Sequence, residues 1–176
     1  MHQSKHTVKW LAQGALIAAL YVVLTIVFAP ISFGAMQVRV AEVMTIFPLF
    51  TSAAIPGLFL GCLLANLLGG AIVWDVLFGS LATLIGAAIG YALRRNRWLV
   101  PIPAILSNTV IVPLILRYGY GIVELPLWLS ALYILAGEIV GCYLLGELLA
   151  SVLLKHKNLF VEKREKKQKA IEEKET

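Results

Sequence analysis

The chain has 176 residues, of which 60% are hydrophobic and 14% charged, with a mean hydropathy of +0.85. Soluble globular domains carry about 25% charged residues, so this composition excludes one and points to an integral membrane protein. The net charge of +5 does not indicate nucleic acid, because Lys and Arg sit at the chain ends and in short connectors.

The first apolar run, residues 8–29, is long enough to cross a hydrocarbon core of about 30 Å. It is too long for a signal-peptide core and lacks a small-x-small cleavage site, so it is expected to persist as the first span. Within it, "AQGALIAAL" sets Gly14, Ala15, Ala18 and Ala19 at small-xxx-small spacing, which admits close approach by a helix of the same bundle or of a partner. The next stretch, "ISFGAMQVRVAEVM", breaks the apolar pattern with Gln37, Arg39 and Glu42. From Val43 to Leu68 there is no charge, but Pro48 and Pro56 bracket "LFTSAAI", which allows one kinked span or two short ones, 41–51 and 55–68. Three further apolar runs follow at 76–93, 99–116 and 127–154.

Charge placement chooses between the threadings. "RRNR" at 94–97 and "KHK" at 155–157 are separated by two spans and share a side. Lys5 and Lys9 join them only if the region between residues 43 and 68 crosses twice. The expectation is an all-α membrane domain over residues 1–154, with six transmembrane helices and cytoplasmic N and C termini, followed by a charged cytoplasmic tail at 155–176. Of the 15 Lys and Arg residues, all but Arg39 and Arg117 then lie inside.

Ionisable groups in spans are costly and usually face the bundle interior or a cavity. Arg39 and Glu42 open the second span, Asn66 closes the third, Asp75 opens the fourth, and Asn108 and Glu138 lie inside the fifth and sixth. Glu147 points away from Glu138 near the inner end and is left out of this set. Plainer readings exist: an i, i+3 ion pair for Arg39 and Glu42, and interhelical hydrogen bonds for Asn66 and Asn108. Glu138 is harder to explain structurally, since no Lys or Arg is available on a neighbouring span at its depth.

Trp74, Trp128, Tyr118 and Tyr120 suit an interfacial belt, while Phe33 and Trp128 equally suit stacking on a flat ligand. The whole set fits a small, planar, hydrogen-bonding and cationic molecule. Cys62 and Cys142 have no histidine neighbours and read as packing residues, so no metal site is expected. His2, His6 and His156 lie in the flanks, which disfavours intramembrane protease chemistry, and no catalytic residue or cofactor is expected. No nucleotide-binding motif is present, so transport would draw its energy from a partner or an ion gradient.

"APISFGAMQVRVAEVMTIFPLF", "AIPGLFLGCLLANLLGG" and "WDVLFGSLATLIGA" together resemble the QueT family, the substrate-binding S components of energy-coupling factor (ECF) transporters linked to queuosine precursors. The resemblance runs from Trp10 to about Leu154. It implies a six-helix S-component bundle with an outward-facing site, and a lid formed by the first outer loop. It also implies docking through Ala15-x-x-x-Ala19 to the coupling protein EcfT, which carries two EcfA-type ATPases, and toppling of the S component as they hydrolyse ATP. The implied ligand is 7-aminomethyl-7-deazaguanine, whose guanine edge matches one carboxylate and whose aminomethyl cation matches a second. Arg39 and Glu42 would then lie at the hinge of the lid. An S component for another vitamin, or a membrane scaffold without a ligand, are the alternatives to this reading.

Overall fold

The computed structural model describes residues 2–32, 37 and 39–155. Half of the expected lid over residues 31–40, Phe33 included, and the tail from 156 onward lie outside these residues. The described chain is helical throughout, with no strand. Helix α1 covers His2–Val27, and a one-turn helix, Ala29–Ser32, follows it. Helix α2 covers Val40–Leu49 and α3 Ala54–Leu68. The last three are α4 (Asp75–Ala92), α5 (Arg97–Gly119) and α6 (Leu127–Lys155).

By length and hydropathy, α1, α4, α5 and α6 qualify as membrane spans, whereas α2 and α3 are shorter. α2 is a 3₁₀ helix rather than an α-helix. Within it, Pro48 supplies no N–H, and the Thr45 hydroxyl donates to the Glu42 carbonyl three residues back at 2.7 Å. Ten residues of 3₁₀ helix extend about 20 Å, and fifteen of α-helix about 22 Å, so neither α2 nor α3 spans a bilayer core unaided.

Contacts between connectors show how the helices alternate. Trp10 donates to Ser52 Oγ at 3.0 Å and Thr51 donates to Gln13 at 3.1 Å, tying the start of α1 to the α2–α3 turn. Ile46, Val100 and Ala150 pack together beside that turn, adding the start of α5 and the last turns of α6 to the same end. At the other end, the Ile72 amide donates to Tyr120 Oη at 3.3 Å and joins the α3–α4 and α5–α6 connectors.

Small residues close the helix interfaces. A Cβ on Gly57 would sit 2.8 Å from the Gly14 carbonyl oxygen, and one on Gly61 would sit 2.8 Å from Tyr21 Cβ, so α1 and α3 meet along backbone. This separates the two small-residue registers of α1. Ala18 is buried and Gly14 meets α3, whereas Ala15 and Ala19 are exposed. Single π-helical turns interrupt α4 at Asp75–Gly79, α5 at Ile115–Gly119 and α6 at Ile139–Leu145. Two of them adjoin polar residues of the expected site, since Asp75 opens one and Glu138 immediately precedes another.

Candidate functional site

The polar residues of the bundle form two adjoining groups. The first is centred on Asp75, at the start of α4. Arg39 Nη2 lies 3.3 Å from Asp75 Oδ1 and 3.4 Å from Oδ2, and Arg39 Nε donates to Gln37 at 3.3 Å. Tyr120 donates to Asp75 Oδ2 at 3.2 Å, and Asn66 Nδ2 donates to the Asp75 carbonyl at 3.2 Å. Gly79 leaves room for this arrangement, because a Cβ there would come within 2.8 Å of Asp75 Oδ1. Burial opposes the charge on Arg39, but the adjacent Asp75 carboxylate prevails and the guanidinium holds its proton more tightly than usual. Burial, aided by the Asp75 charge, raises the Tyr120 hydroxyl above its ordinary range.

The second group lies among α1, α2, α5 and α6. Glu42 Oε1 accepts a 2.5 Å hydrogen bond from the Tyr21 hydroxyl, a length typical of an O–H donor on a carboxylate. Glu138 Oε1 accepts from Asn108 Nδ2 at 2.9 Å, and the Cys142 thiol donates to Glu138 Oε2 at 2.9 Å. One ligand atom each from Glu42, Glu138 and Cys142 lies within 4.8 Å of the others. Glu42 Oε2 is buried and has no hydrogen-bond partner. The group is sealed from solvent, with Glu42 1% exposed, Asn108 2% and Glu138 6%. Gly141 allows α6 to approach the start of α2, since a Cβ there would lie 3.1 Å from the Arg39 carbonyl oxygen.

Arg39, Glu42, Asn66, Asp75, Asn108 and Glu138 are thus all buried in these two groups. Arg39 pairs with Asp75 at the start of α4, a partner that the i, i+3 reading with Glu42 does not contain. Trp128 stands apart on the surface at the start of α6, two-thirds exposed at 66%. Phe33 lies outside the described residues. Glu147 is separate as expected, with its Oε2 3.3 Å from Arg97 Nε at the start of α5.

Sequence reasoning missed Tyr21 and gave Cys142 and Tyr120 other roles. The available signals were a phenol hydroxyl in the middle of the apolar stretch of α1 and a thiol four residues after Glu138, on the same helix face. An apolar groove of about 360 Å³ also runs between Trp74, Phe78, Ile111, Leu114 and Tyr118. Its largely hydrocarbon walls lack the convergent polar groups needed to read a heterocycle edge.

The comparisons supply the lineage of this bundle with its buried carboxylates and amides. The family model described as "QueT transporter" matches residues 11–155. The chain belongs to the QueT transporter family. A curated relative named "Queuosine precursor transporter QueT", from Lactococcus lactis subsp. cremoris (strain MG1363), is 37% identical over 82 residues. That alignment covers 45% of this chain and 47% of the relative, so the similarity spans about half the length of that curated protein. No solved structure matches this QueT-family chain significantly.

Proposed function

We propose that this QueT-family protein is the substrate-binding S component of an ECF transporter, resides in the plasma membrane with six crossings, and captures the queuosine precursor 7-aminomethyl-7-deazaguanine. The observation that carries this reading is the buried meeting of Glu42 and Glu138, lined by Tyr21 and Asn108, in a membrane bundle of this family. Carboxylates kept out of water need compensation, and a deazaguanine bearing an ammonium group supplies both N–H donors and positive charge. Glu42, Glu138 and Asn108 make the direct contacts. Arg39, Asp75 and Asn66 hold the approach to the site, while Phe33 and Trp128 offer flat faces at its mouth.

EcfT and two EcfA-type ATPases supply the energy in this proposal, with Ala15 and Ala19 as the docking surface on α1. Their exposure, one residue away from the Gly14 register that packs on α3, supports that role. The test is to purify the full chain from cells supplied with the precursor, identify the bound compound by mass spectrometry, and follow uptake with the partner subunits present. Deazaguanine recovery is expected, and bulky residues at 15 and 19 should spare binding while abolishing uptake. Recovery of a different vitamin, or of no small molecule, would sink the assignment.

A further inference from the structure

The resemblance implies one carboxylate for the guanine edge and a second for the aminomethyl group, and Glu42 and Glu138 are two buried candidates for those separate parts. Their positions argue otherwise. Ligand atoms of Glu42, Glu138 and Cys142 lie within 4.8 Å of one another, too close together for opposite edges of a bicyclic ring to fit between them. Each carboxylate is held by neutral donors: Tyr21 from α1 holds Glu42, and Asn108 from α5 and Cys142 hold the two oxygens of Glu138. Glu42 Oε2 retains no hydrogen-bond partner at a residue that is 1% exposed.

Charge leads to the same point. Arg39 is the basic side chain acting on both glutamates, yet it is already engaged by both oxygens of Asp75. Among the described residues, Glu42, Glu138 and Asp75 therefore stand against one guanidinium in the buried polar region. A buried excess of negative charge is costly unless a cation completes it.

We infer that Glu42 and Glu138 together form the seat of one small cationic group, the primary ammonium of the ligand, with Tyr21 and Cys142 as its walls. The guanine edge is then read elsewhere. This inference rests on the deazaguanine reading above. It makes the carboxylate pair the element that selects an aminated ligand over a neutral one of nearly the same shape, since the neutral ligand leaves both carboxylates uncompensated.

Calorimetry on the full chain in detergent, with the aminomethyl and the nitrile deazaguanines as probes, tests it. The wild type should favour the aminomethyl compound at least about tenfold. Glu42→Gln and Glu138→Gln should each lower that affinity about tenfold or more and leave nitrile affinity within about threefold, which also reports that the variants are folded. If either variant binds neither compound, the matching Asp variant replaces it: the shorter reach should weaken aminomethyl binding alone and so reduce the preference, and an equal loss for both compounds overturns the inference. Should one Gln variant weaken both ligands equally and the other only the aminomethyl compound, the carboxylates are divided between ring edges; the inference falls and the ligand reading stands. Equal wild-type affinity for the two compounds also overturns the inference alone. No binding of either by the wild type overturns both. Tight binding of Zn²⁺ alone, lost in Cys142→Ala, would make the cluster a metal site and overturn the inference.

Discussion

Asp75 and the Glu42–Glu138 pair are all buried carboxylates, yet their surroundings differ in kind. Asp75 has a guanidinium on both oxygens and a tyrosine hydroxyl besides. Glu42 and Glu138 have a phenol, an amide and a thiol, and one oxygen is left over. A carboxylate with its own cation needs nothing further and ties elements together: here the residue before α2, the start of α4 and the end of α5. A carboxylate pair with neutral partners is an incomplete interaction, and such places are where a charged ligand gains most. Glu147, at the opposite end of the bundle, falls between the two: Arg97 Nε lies 3.3 Å from its Oε2, but neither of its oxygens has a hydrogen-bond partner.

The largest effect should come from breaking the completed pair. Asp75→Ala leaves Arg39 buried without its carboxylate, a change that typically costs about 3–5 kcal/mol. Thermal unfolding of the purified chain should show a steep loss of stability, and replacing Arg39 and Asp75 together by Met and Leu should restore most of it. A single-variant loss below about 1 kcal/mol would mean that solvent screens the pair, and the comparison would lose its basis.

Glu138→Gln should do the opposite. Ligand affinity should drop about tenfold to a hundredfold, which corresponds to about 1.4–2.8 kcal/mol, while thermal stability of the empty protein holds or rises as like charge is removed. Calorimetry and thermal unfolding on the same preparation separate the two effects. A variant that loses stability but keeps wild-type affinity would move Glu138 into the class of Asp75.

Much of this division was legible from residue types and their order, though not all of its geometry. Hydropathy located the four long apolar helices α1, α4, α5 and α6, and the prolines marked the region in which the shorter α2 and α3 are separated by a turn. The 3₁₀ winding of α2 and the π turns of α4, α5 and α6 were hidden, since a local change of winding leaves the apolar pattern intact. The partner of Arg39 was hidden as well. Adjacency along the sequence favours Glu42, whereas folding brings in Asp75 from a separate helix. The small residues of α1 were visible as one cluster, but only packing against Gly57 and Gly61 divides the Gly14 and Ala18 register from that of Ala15 and Ala19.

The smallest effect should be that of Tyr120→Phe, and it sharpens the boundary between the two groups. Its hydroxyl donates to Asp75 Oδ2 at 3.2 Å and accepts from the Ile72 amide at 3.3 Å, so its loss removes two modest hydrogen bonds at the end of the bundle. Asp75 keeps both contacts with Arg39, and water can reach the partly exposed position of Tyr120, so the cost should be about 1 kcal/mol of stability. Ligand affinity should stay within about twofold, because the phenol acts on the completed pair and touches neither Glu42 nor Glu138. A tenfold loss of affinity with unchanged stability would show that the Asp75 group contacts the ligand directly, and the two groups would then be one site.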